Sequence, residues 1–256
     1  MTNSYLTAFN KLVDLHQDVA GLNPALKALY PIAIVKDEQF LIFDYDQDQG
    51  GYRYRKNAPL PMPIPQGIRA AFQLESYGGR IACVVTPEVF DTLGGYVTIL
   101  HEFVHCYQYE TCEQDLKLTL DVARQAQERG DVMWEIEHPF PYTARDFIQP
   151  YRDFLQAVLQ GNRDEILNNR MLLKDYLGCH DYEYMVWQEW KEGFARWVEN
   201  RVKRELSLPE NKGGLQPPYS RVSFYAGGEA YINYLAETNP MLVMDLRSLF
   251  QSLYAL

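Results

Sequence analysis

Gly94-Gly95-Tyr96-Val97-Thr98-Ile99-Leu100-His101-Glu102-Phe103-Val104-His105-Cys106-Tyr107-Gln108-Tyr109-Glu110-Thr111-Cys112 decides how this chain is read. At 3.6 residues per turn, Ile99, Leu100, Phe103, Val104, Cys106 and Tyr107 fall on one side of a helix. Gly94, Thr98, Gln108 and Cys112 fall on the other side, with His101 and His105. A polar stripe with small residues beside it, on an otherwise apolar helix, is what the floor of a cleft requires. The bland alternative is a pair of solvated histidines on a surface face.

Outward from this helix, the two sides of the chain differ. Upstream, residues 4–20 have an amphipathic helical pattern. Ile32 to Val35 and Phe40 to Tyr45 are strand-like and flank Lys36-Asp37-Glu38, a hairpin turn. Residues 57–67 carry four prolines and are expected to be an extended loop. Ala70 to Leu74 and Arg80 to Val85 are two further strands, joined by Ser76-Tyr77-Gly78-Gly79. Downstream of Pro87 the pattern is helical, near 88–112, 113–129, 143–160, 163–177, 182–206, 220–237 and 240–254. Strands early and helices late predict an α+β fold. Residues 1–112 would form an N-terminal lobe with the sheet and the motif helix, and 113–256 a helical C-terminal lobe. The two together would make one catalytic unit with a cleft between them.

Composition narrows the function. The formal net charge is −10, which disfavours nucleic acid and anionic membrane surfaces as partners. No run approaches the roughly 20 apolar residues of a membrane span, and the start of the chain lacks a basic segment followed by an apolar one. A soluble, cytoplasmic protein is expected. Cys83, Cys106, Cys112 and Cys179 form no Cys-x-x-Cys pair, so reduced, mostly buried thiols are expected rather than a cysteine zinc site.

Residues 101–105 match the pattern His-Glu-x-x-His. Residues four apart share a helix face, so two imidazoles can close on one metal. Glu102 lies about 100° round the helix from His101, near the metal without ligating it, where it can act as a base. This segment resembles the active-site helix of the zincin metallopeptidases. The resemblance implies a zinc-dependent hydrolase with His101 and His105 as ligands and Glu102 as catalytic base. It also implies a small antiparallel sheet over the helix, whose edge strand takes up the substrate; Arg80 to Val85 is the strand in question.

A catalytic zinc site takes three protein ligands and keeps one position open. The metzincin pattern does not fit, since Gln108 and Thr111 stand where its glycine and third histidine would be. Glu192-Gly193-Phe194-Ala195 resembles the Glu-Gly-x-Ala segment of gluzincin-like families, which implies Glu192 as third ligand. Glu189 and His180 are the alternatives. Gly193 would let another helix approach beside Glu192. Trp187, Trp190, Phe194, Trp197 and Val198 share one face of that helix, and Glu189, Glu192, Arg196 and Glu199 lie opposite. Tyr225 is the expected oxyanion donor, with Tyr219 and Tyr231 as rivals. His138 has no expected role, and His16 has no expected place.

The expected function is therefore a zinc (Zn2+) metallopeptidase acting on a peptide or protein substrate. A non-peptidase zinc hydrolase is one alternative. A zincin-derived binding protein without turnover is the other, and an intact Glu102 argues against it.

Overall fold

The computed structural model describes residues 2–255. It is α+β, with the strands early and the helices late. The chain divides into two compact units. One comprises the chain up to Glu110 together with Val198–Pro209, and the other comprises Thr111–Trp197 and the chain from Glu210 onward.

The first unit begins with helix α1 (Thr2–Val19), followed by strands β1 (Ile32–Lys36), β2 (Gln39–Asp46), β3 (Gly51–Pro59), β4 (Arg69–Leu74) and β5 (Arg80–Val85). They form one sheet in the order β3-β2-β1-β5-β4. β1 is central and buried on both faces, as its run Ile32-Ala33-Ile34-Val35 anticipates. Asp37 and Glu38 both take positive φ (49° and 58°), the paired left-handed conformation of a two-residue hairpin. Gly78 and Gly79, also at positive φ, bring β5 back beside β4.

Two expectations need correcting. The sheet is mixed rather than antiparallel, because β1 and β5 run parallel. β5 is also not an edge: β1 takes one of its sides and β4 the other, so its backbone groups are already paired. The edges are β3 and β4. β3 had no counterpart in the sequence reading, and its last three residues fall in the stretch expected to be loop. It carries Arg53, Arg55 and Lys56, charges of the kind that protect an edge strand.

One face of the sheet (Ala33, Val35, Phe40, Ile42, Ala82, Val84) packs under the proline-rich segment through Leu60, Ile64 and Ile68. On the other face Phe9 of α1 meets Phe43 and Tyr52, with ring centroids 4.7 and 4.8 Å apart. Helix α2 (Leu93–Gln108) packs on β4 and β5. Thr92 caps α2 by accepting from Gly95 N at 3.1 Å. Gly95 is required there, since a Cβ would stand 1.8 Å from the Val89 carbonyl oxygen.

A π-helical turn, Tyr109–Glu113, follows α2. Helices α3 (Gln114–Thr119), α4 (Asp121–Glu128), α5 (Trp134–Glu137) and α6 (Arg145–Gln160) come next. The extended backbone of Leu120 separates α3 from α4, where a single helix was expected. The 43-residue helix α7 (Arg163–Glu205) breaks its regular geometry at Gly178 (φ 66°, ψ −168°), between the two helices expected there. Helices α8 (Arg221–Thr238) and α9 (Leu246–Tyr254) complete the second unit.

The core of the second unit is aromatic. Trp187, Trp190, Phe194 and Trp197 are buried along α7. Trp190 donates to the Leu246 carbonyl at 3.0 Å. α7 and α8 touch backbone to backbone: a Cβ on Gly193 would lie 2.7 Å from Gly228 Cα, and one on Gly228 would lie 2.3 Å from the Glu189 carbonyl oxygen. The close approach expected of Gly193 is therefore present, and its partner is α8.

Candidate metal centre

In the first unit, α2 holds His101 and His105 one turn apart, with Glu102 next to His101. They are not a solvated surface pair. Glu102 and His105 are 6% and 7% exposed, and Gln108 is fully buried. Polar groups so deep in a helix that packs on a sheet need partners, and the imidazoles have well-defined ones. His101 Nδ1 lies 2.9 Å from Glu199 Oε2, and His105 Nδ1 lies 2.8 Å from Gln108 Oε1.

Both partners offer acceptor oxygens, so an Nδ1–H on each ring can donate to them, and in the neutral tautomer that results each Nε2 presents a lone pair. The two Nε2 atoms face each other at 3.2 Å. Two nitrogens bound to one tetrahedral zinc at 2.0–2.1 Å would be about 3.3 Å apart. The donor set therefore fits a zinc ion by both spacing and chemistry. A carboxylate behind a ligating imidazole is also the usual way to fix its ring and tautomer.

Glu199 was expected only to share a helix face with Glu192; its role behind His101 was missed. Burial pushes its carboxyl pKa up, but the His101 hydrogen bond and Lys203, whose Nζ is 2.5 Å away, outweigh this and hold it at about 2. Glu199 is thus an anion at neutral pH and can accept a charge-assisted hydrogen bond from His101 Nδ1–H. The available signal was its spacing: seven residues, or two turns, after Glu192 on one helix. Glu102 sits toward the sheet. The Cys83 thiol of β5 is pushed up first by its own burial and then by the Glu102 charge.

The remaining expected residues belong to the second unit. Glu192 is half-buried on α7. Tyr225, on α8, lies near it: burial first, and then the charge of Glu192, raise the phenol well above its ordinary range. Arg196 and Arg221 lie over the Tyr225 ring at 5.3 and 5.5 Å.

The alternatives have other employment. Glu189 is fully buried and bound to Arg170 at 2.6 Å. His180 meets the Gln125 side chain at 3.0 Å. Tyr219 packs against Phe147 and Tyr151, and Tyr231 against Phe154 and Arg170. His138 meets Asp181 at 2.6 Å and stacks on Tyr184. His16 is buried, with Nε2 2.6 Å from the Leu26 carbonyl oxygen. All four cysteines are free thiols, and Cys179 is the exposed one.

The chain matches no protein-family model, no curated protein and no solved structure. Among the described residues, no helix is long and apolar enough to cross a membrane.

Proposed function

We propose that the protein is a zinc-dependent hydrolase of peptide bonds, in which His101, His105 and Glu192 hold the metal. The observation that carries this reading is the pair of Nε2 atoms 3.2 Å apart, each on an imidazole whose Nδ1 is held by an acceptor. A single shared proton or a cation between the two nitrogens would satisfy both, and the zinc reading takes the cation because a carboxylate or amide oxygen already stands behind each ring. Glu192 is chosen as third ligand because Glu189 is committed to Arg170 and Glu199 to His101.

When bound, zinc polarises a carbonyl oxygen and lowers the pKa of water towards about 7. The other roles belong to the chain itself. Glu102 accepts the proton of the attacking water and passes it to the leaving amine. Tyr225, kept protonated by its surroundings, donates a hydrogen bond to the developing oxyanion. β4 is an edge of the sheet on which α2 packs, so an extended peptide would add there rather than at β5.

The test is metal content. The purified protein should carry about one zinc per chain, and His101→Ala or His105→Ala should carry none. A wild-type protein that takes up no zinc, or a His105→Ala variant that keeps it, defeats the proposal.

A further inference from the structure

Beside Glu192 and Tyr225, the second unit carries a cationic donor that the zinc reading does not use. Arg221 is half-buried at the start of α8, with its guanidinium 5.5 Å above the Tyr225 ring. Among the described residues, Arg221 makes no ion pair or side-chain hydrogen bond, and its contact is with the Tyr225 ring. Arg196, 5.3 Å from the same ring, is bound to the Gly213 carbonyl oxygen at 2.7 Å. Arg221 therefore brings a planar fork of five N–H donors to this place. Half-buried guanidinium groups normally meet a carboxylate or a row of carbonyls.

We propose that Arg221, held over the Tyr225 ring, forms an anion subsite that receives a carboxylate of the substrate. The substrates are then peptides with a negative charge next to the bond to be cleaved, borne by the chain terminus or by an acidic side chain. The fork geometry of Arg221 suits the two oxygens of a carboxylate. The charge of Glu192 lies close to Tyr225, and the zinc reading places a cation on it. To that extent the inference rests on the zinc reading. It also explains why a chain of net charge −10 places two guanidinium groups around one phenol here.

Three peptides test it by calorimetry: acetyl-Ala-Ala-Phe as the free acid, the same peptide as its amide, and acetyl-Ala-Ala-Glu amide. Binding is measured to the zinc-loaded protein and to metal-free Glu192→Gln, in which the carboxylate charge is gone. The free acid should bind about tenfold tighter than its amide in both, as a charge-assisted bond implies. Arg221→Ala should remove the preference without changing the circular dichroism spectrum or the zinc content, and Arg221→Lys should restore part of it. If the glutamyl amide binds as tightly as the free acid, the side chain is the source of the charge; if not, the chain terminus is. Equal binding of acid and amide, no binding of either at millimolar concentration, or a preference that survives Arg221→Ala overturns the subsite. A wild-type protein without zinc, with the acid preference intact in Glu192→Gln, overturns the zinc reading instead and leaves the subsite standing.

Discussion

Two of the buried polar arrangements, one in each unit, are built on opposite principles. In the second unit, Arg170 and Glu189 are fully buried and meet each other at 2.6 Å. Arg170 also donates to the Leu253 carbonyl at 2.7 Å, and its plane lies over Phe154, Tyr182 and Tyr231. In the first unit, Glu199 and Gln108 face the outer nitrogens of two imidazoles, whose inner nitrogens are turned toward one another. The first arrangement pairs opposite charges and closes on itself, so it is scaffold. The second converges two ring nitrogens on one point, where the proposed function places a cation.

The largest effect that could break this contrast is on stability. Glu189→Gln leaves the Arg170 cation buried beside a neutral amide and should cost about 3–5 kcal/mol in urea denaturation. Zinc content should not change. Loss of zinc with stability intact would make Glu189 a ligand and erase the distinction between the two arrangements.

Next in size is catalysis. Glu102→Gln should lower hydrolysis of a cleaved peptide about a hundredfold while zinc stays bound, since Glu102 moves a proton and holds no metal. Unchanged turnover in this variant would remove the proposed base.

A smaller effect separates ligand from support. Glu199→Gln should weaken zinc about tenfold in chelator competition, as expected for a carboxylate behind a ligating imidazole. Glu192→Gln should weaken it more. The reverse order would exchange the roles of the two residues.

The smallest effect is a pH dependence confined to the second unit. Lys191 and Lys117 reach Glu135 at 2.8 and 2.6 Å and Glu113 at 2.9 and 2.8 Å. Burial pushes the Glu135 pKa up, but the two lysines outweigh it and bring the value to about 2, below its ordinary 4.5. A depressed carboxyl stabilises the fold fully above the ordinary value and loses that contribution as pH falls through the folded one. Stability should therefore drop by roughly 1 kcal/mol between about pH 4.5 and pH 2 on account of Glu135. Lys191→Met should flatten this slope in an acid titration followed by circular dichroism.

Much of the architecture was legible in periodicity. The strand pairs around Asp37-Glu38 and Gly78-Gly79, the helix through His101 and the tryptophan face of α7 all follow from side-chain spacing. β3 was not legible, because an edge strand of Tyr, Arg and Lys gains its backbone partners from β2 rather than from its own hydrophobicity. The parallel pairing of β1 with β5 was hidden for a related reason. Both strands are buried apolar runs, and such runs do not encode which neighbour they take or in which direction.

The same division holds for the candidate centre. The sequence by itself determined that His101 and His105 share a helix face with Glu102 beside them, because four residues make about one turn wherever the helix lies. Only the tertiary structure decided that Glu199 stands behind His101, that Glu189 is spent on Arg170 and that Gly193 packs on Gly228. Local spacing fixes neighbours within one element. Contacts between residues far apart in sequence depend on how elements pack, and there a carboxylate is only as available as the nearest cation leaves it.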